Sequence, residues 1–422
     1  MSRIEHIEIT PIAFRDPPLL NVFGVHEPWA IRSIIEVITE DGLTGLAETY
    51  GDTQTISQLR AVAPKLIGLD VHHLNKIKAA IIGVVGGAVK DAGLDIAPGT
   101  LAATTVPRIY SAYEVAALDL IGKQMGRPVC DLLGGAVRET VPFSAYLFYK
   151  YERHGFTDDP WADKWGAALN PEGIVRQAKR MIGEYGFQSI KLKGGVFEPQ
   201  EEIEAIRALR DAFPDHPLRI DPNGGWTSET TIRLLPEMDG LLEYLEDPAH
   251  GKVEMARVQK VAPMPLATNM YVIGFFDLKE AFDLGSVKVI LSDHHYWGGL
   301  LATRELARAC EAWGVGLSMH SNSHLGISLM AMTHAAAAIE HLSYACDTHY
   351  PWQEEEVISG GKIEFENGGV RLPDKPGLGV ELDRDALEEL ARNYETCGVR
   401  SRDDIAEMRK YQPDWAGTVP RF

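Results

Sequence analysis

VPFSAYL (141–147), FQSIKLK (187–193), PLRID (217–221), LEYLE (242–246), PLATN (265–269), VKVILSD (287–293) and VGLSMH (315–320) are short apolar runs. They recur mostly at intervals of about 25 to 30 residues, the spacing of βα units. A last, weaker run covers 342–346, and the segments 201–212, 300–313 and 327–339 between runs have helical composition. Eight strands with helices between them predict a (β/α) barrel, whose chemistry gathers at the carboxyl ends of the strands. An open doubly wound sheet is the alternative, but no G-x-G-x-x-G follows an early strand.

Ahead of this pattern the chain reads as α+β. Residues 4–11 alternate, 31–40 run into the tight-turn pair Asp41-Gly42, and 43–50 return as the second arm of a hairpin. Helical periodicity follows over 55–68, after His72, and over 106–125. The boundaries are placed at 1–135 for this unit, 136–375 for the barrel and 376–422 for a closing segment. Residues 360–369 and PDKPGLG read as loop and hairpin, and 386–394 as a terminal helix.

A chain of 422 residues can bury two such units. Its 45% hydrophobic and 24% charged residues, with no apolar run of about 18, are those of a soluble protein without a membrane span. MSRIEHIEIT lacks the apolar core of a signal peptide, so a cytoplasmic location is expected. Cys130, Cys310, Cys346 and Cys397 are far apart and read as reduced, mostly buried thiols. The net charge of −19 argues against nucleic acid or anionic lipid as partner, yet leaves room for a small anion in a locally cationic pocket.

Polar residues fall at one strand end after another. Lys191 and Lys193 share a face of the second strand and point into the barrel mouth, where mutual repulsion is expected to lower a pKa and yield a base. Asp221, Glu246 and Asn269 end the next three strands. Singly, each has a structural reading as helix N-cap or surface acid; together they supply three hard oxygens for Mg2+. Asp293 and His320 end strands six and seven, close enough for the carboxylate to fix the imidazole as an acid or base. Lys193 and His320 would then flank one carbon acid from opposite sides.

These residues resemble, in order, the signature of the enolase superfamily, and KLKGGV, DPNGGW, YLEDP, LATNM, MHSNSH and DTHYPWQE look like barrel motifs of its glucarate dehydratase family. LLNVFGVH, KPGLGVELD and SRDD extend the match over nearly the whole chain. The resemblance implies an enolase-like fold, an α+β capping domain before a modified (β/α)7β barrel, with the closing segment returning to the cap. It implies a magnesium-dependent hydro-lyase acting on an acid sugar by α-proton abstraction and loss of the neighbouring hydroxyl. Lys193 and His320 correspond to the bases, Asp293 to the support of the histidine, and Asp221, Glu246 and Asn269 to the metal ligands.

Lys191 and Asn223 would assist at the reaction centre. Asn21, His26, Thr100, Tyr146, Ser321, Asn322, His349 and Arg402, together with Lys191, Asn223 and Asn269, match positions that hold substrate. The DPAHGKVE stretch after Glu246 is shorter than in typical members, which points to a related diacid as an alternative substrate. A racemase or epimerase needs the same two bases, and a silent sugar-acid binding protein would keep the same pocket. Homo-oligomers are expected, since barrels of this kind often associate.

Overall fold

The structure, a computed structural model, describes residues 2–86, 102–156 and 161–422. Strands β1 (Ile4–Arg15), β2 (Trp29–Thr39) and β3 (Thr44–Tyr50) form an antiparallel meander. The β2–β3 turn works because Gly42 takes φ 79°, a left-handed conformation that a side chain would disfavour, while its N–H donates to Thr39 O at 2.7 Å. Helices α1 (Thr53–Leu66), α2 (Leu74–Val85) and α3 (Thr105–Met125) follow.

Helix α3 is buried over most of its circumference, as a helix between two layers must be. It lies against β3 on one side and the helix Gly299–Trp313 on the other. Contact with β3 is so close that a Cβ on Gly45 would meet Ala116 O at 2.1 Å. Asp119 pins the arrangement: Oδ2 accepts from Leu46 N at 2.8 Å and Oδ1 from Leu378 N at 2.7 Å.

The barrel is built from β4 (Thr140–Phe148), β5 (Ile190–Lys193), β6 (Leu218–Asp221), β7 (Tyr244–Glu246), β8 (Leu266–Thr268), β9 (Val289–Ser292), β10 (Gly316–Met319) and β11 (Cys346–Thr348). Every pair along the order β10-β9-β8-β7-β6-β5-β4-β11 is parallel. Ser343 closes the ring, donating its N–H to Leu317 O at 2.9 Å and accepting from Leu317 N through Oγ at 3.3 Å. A helix stands in each gap from β4 to β11, and after β11 the chain continues in a 3-10 turn, Tyr350–Trp352. The fold is the expected (β/α)7β barrel.

Two details differ from the sequence reading. The last barrel strand is Cys346–Thr348 and not 342–346, because residues 343–344 spend their N–H groups on Leu317 O before the ladder to β4 begins at Cys346. The region expected as loop and hairpin also contains β12 (Gly369–Arg371), which pairs antiparallel with the start of β4. The helix Arg384–Thr396 lies against β1. Cys130, Cys310 and Cys346 are buried thiols, and none of the described cysteines is in a disulfide. No helix among the described residues is long and apolar enough to cross a membrane.

Candidate active site

The carboxyl ends of β5 to β11 carry interleaved charges. Lys191 Nζ is fully enclosed, 2.6 Å from Glu246, 2.7 Å from Asp347 and 3.6 Å from Asp221. Beneath it, Arg219 reaches Asp347 at 3.5 Å and stacks over Tyr244. Nearer the mouth, Lys193 Nζ lies 2.6 Å from Asp221 Oδ2.

This corrects one expectation. Both lysines do face inward, but they stand about 6.6 Å apart along the strand, and each meets carboxylates from other strands before it meets its neighbour. Burial works against the Lys191 ammonium, yet Asp347 and Glu246 outweigh it and hold the pKa well above the ordinary lysine value. Lys191 is therefore a fixed cation below the cavity and not a base with a lowered pKa.

Asp221, Glu246 and Asp247 bring carboxylate oxygens within 4.8 Å of one another. Burial, then the Asp221 charge, pushes Glu246 well above the usual carboxylate range and Asp247 up to about 7. Asp221 goes the other way: burial opposes its charge, but Lys193 and Lys191 keep its pKa low. Hydrogen bonding sorts the three acids. Asp247 is committed, accepting from Thr268 Oγ1 at 2.5 Å and from Asn269 N at 3.0 Å, and it holds a left-handed φ of 40° to do so. Asn269 Oδ1 and Glu246 Oε1 are buried without a hydrogen-bond partner, while Glu246 Oε2 faces the Lys191 ammonium at 2.6 Å. Two carboxylates and one orphaned amide oxygen fit a hard divalent cation, whose charge would relieve the repulsion.

Asp293 sits at the start of the short helix His294–Trp297. Its Oδ2 lies 3.2 Å from His320 Nδ1 and its Oδ1 lies 2.7 Å from His295 Nδ1. Burial opposes the Asp293 charge, but the two imidazoles facing it hold its carboxyl well below the ordinary range. Asp293, His294 and His295 also cluster closely, but the two Asp293 oxygens are spent on imidazoles.

Lys193, Asn223, Asn269 and His320 line one cavity. Asn21 and His26 reach it from the loop between β1 and β2, Tyr146 from β4, Asn322 and His349 from beyond β10 and β11, and Arg402 from the closing segment. Asp404 braces two of these, accepting from Asn21 Nδ2 at 2.6 Å and from Arg402 Nε at 2.8 Å. His26 Nδ1 is held 3.0 Å from Asp16 Oδ2. Burial keeps the His349 imidazole far below its usual pKa, so it is neutral.

Lys191 and Ser321 do not line this cavity. Lys191 lies under Tyr146, and Ser321 Oγ accepts from His349 N at 3.0 Å, placing the imidazole instead of facing the cavity. Thr100 lies outside the described residues. Sequence reasoning missed Asp247, Asp347, His295 and Phe148. Asp247 stands beside Glu246 in YLEDP, where adjacent carboxylates were the available signal; Asp347, opening DTHYPWQE, offered only its place at a strand end, and His295, in the HH pair, only its place two residues after Asp293. Phe148 lines the cavity as the next inward position after Tyr146.

Residues 173–386 match the enolase C-terminal domain-like family, and residues 15–134 match the mandelate racemase / muconate lactonizing enzyme N-terminal domain. The chain belongs to the enolase superfamily. Within the superfamily it is 49% identical to a probable glucarate dehydratase of Streptomyces coelicolor, over 99% of both chains. A solved enolase-superfamily structure from Pseudomonas fluorescens, with bound magnesium, potassium and tartrate, is 52% identical and superposes with a TM-score of 0.97, covering 100% of this chain and 99% of that one. Another from Thermobispora bispora, with magnesium and formate, is 53% identical with a TM-score of 0.96 over 100% of both chains. Superfamily membership makes the chain an enzyme, and its lyase type follows from the 49% identity over the full chain to a protein named as a probable glucarate dehydratase.

Proposed function

We propose that the protein dehydrates a sugar diacid, most directly D-glucarate to 5-dehydro-4-deoxy-D-glucarate, with Mg2+ held by Asp221, Glu246 and Asn269. The observation that carries this reading is that Lys193 and His320 line one small cavity together with the orphaned Asn269 oxygen. The 49% identity to a probable glucarate dehydratase supports it, as does the tartrate, a hydroxylated dicarboxylate, in the Pseudomonas structure.

When bound, magnesium supplies fixed positive charge beside the substrate carboxylate whose adjacent carbon loses a proton. Lys193 Nζ takes that proton, with Asp221 holding the amine in place at 2.6 Å. His320, its Nδ1 turned to Asp293, offers Nε2 to the neighbouring hydroxyl and gives it a proton as the C–O bond breaks. Water leaves, and the enol that remains becomes a ketone. Asn21, His26, Asn322 and Arg402 hold the rest of the diacid.

Incubating the protein and magnesium with a panel of sugar diacids, including glucarate, idarate and galactarate, tests the reading. Formation of a keto acid from one of them is expected. Solvent deuterium incorporation without keto acid would assign racemase or epimerase chemistry, and tight binding of glucarate without turnover would assign a binding protein; either result overturns it.

A further inference from the structure

Beyond the cavity, a line of buried polar groups runs from the three-stranded sheet to His320. Glu48, on β3, accepts from Arg32 Nε, Leu325 N and Ser328 N, each at 3.0 Å. Arg32, on β2, aims Nη2 at His295 Nε2, 2.8 Å away, and Ser328 Oγ is 2.9 Å from the same nitrogen. The other His295 nitrogen, Nδ1, meets Asp293 Oδ1 at 2.7 Å, and Asp293 Oδ2 meets His320 Nδ1 at 3.2 Å. Every side chain in this line is buried.

The chemistry of the donors fixes the direction of the line. A guanidinium stays charged and has no acceptor, so the nitrogen facing Arg32 must present a lone pair. The His295 proton then sits on Nδ1 and points at Asp293. Asp293 also accepts from His295 N at 2.9 Å, so its Oδ1 is tied twice and Oδ2 is left for His320.

We propose that Arg32 and His295 are positioning residues for the reaction: the N-terminal sheet sets the tautomer of His295, His295 fixes the Asp293 carboxylate, and Asp293 orients His320. Neither residue touches the substrate in this scheme. It rests on the reading of His320 as the proton donor, but the tautomer it requires does not.

Two measurements on the full-length protein decide it. In 15N-histidine NMR, with His295 assigned by its loss in His295→Asn, the wild type is expected to show a protonated Nδ1 and an unprotonated Nε2 near neutral pH. In Arg32→Met that preference is expected to be lost. A His295 protonated on Nε2, or on both nitrogens, overturns the proposal whether or not any diacid is turned over.

The kinetic arm compares two replacements. Asn keeps a donor where Nδ1 stood, whereas Phe keeps the ring volume and loses the donor. His295→Phe is expected to lower kcat by about 10–100-fold, the usual scale for a residue that orients another, with KM unchanged. His295→Asn should retain more activity than His295→Phe. A purely space-filling role reverses that order and sinks the proposal. Should the wild type dehydrate no diacid at all, the proposed function fails on its own, and the NMR result still stands or falls separately.

Discussion

Lys191 and Lys193 are identical side chains two positions apart on β5, and their surroundings assign them different work. Lys191 is sealed among three carboxylates, so its charge serves the electrostatics of the barrel interior. Lys193 stands at the cavity wall with one carboxylate beside it. The proposed mechanism accordingly gives proton transfer to Lys193, with His320 lining the same cavity. Lys193→Ala and His320→Asn are each expected to lower kcat by about 10²–10⁴-fold with an unchanged circular dichroism spectrum, the scale of a positioned acid or base. Near-normal rates in either variant on the true substrate would remove that residue from the mechanism. Alternation along KLK was enough to see that both lysines point inward. It could not show which one is neutralised, because Glu246 and Asp347 arrive from β7 and β11, far away in the chain. The same holds for His295, whose partner Arg32 lies 263 positions earlier.

At the scale of elements, the interface between α3 and the barrel turns on one buried carboxylate. Glu114 accepts from Leu300 N and Leu301 N, each at 3.0 Å, and so satisfies two orphan donors at the start of the helix Gly299–Trp313. Burial outweighs those bonds and pushes its pKa up to about 7. Between the ordinary glutamate value and about 7, the folded protein holds a proton that the unfolded chain has lost. Stability from this group is thus full at low pH and declines as pH rises through that window. Glu114→Gln removes the titration, so its deficit relative to wild type should be smaller at pH 8 than at pH 5 in urea denaturation. A deficit that grows with pH would contradict the assignment. Strand positions were legible where apolar runs were long, as for β4 through β10. β11 was misplaced by a turn that competes for the same backbone groups, and β12 is only three residues, too short for a period to register.

For the whole molecule, the proposed cation site at the barrel mouth would make folding and cation binding one equilibrium. Asp221, Glu246 and Asp247 repel one another in a buried space, and a divalent ion bound only by the folded form would offset that cost. Chelator-treated protein is expected to melt at a lower temperature than the same sample with magnesium. Ligand at about 100 times its Kd contributes roughly 2.7 kcal/mol by mass action. Scanning calorimetry across a magnesium titration measures the shift, and a melting temperature indifferent to the ion would argue against the three-oxygen site.

The cavity is assembled from three stretches of chain, with Lys193 and His320 on the barrel and Asn21, His26 and Arg402 supplied from outside it. On the proposed reading, much of the selectivity would then be inherited apart from the chemistry. If that reading holds, grafting the loop around residue 21 or the segment around residue 402 from a cousin enzyme is expected to change which acid is welcomed while turnover of the acid it does accept persists.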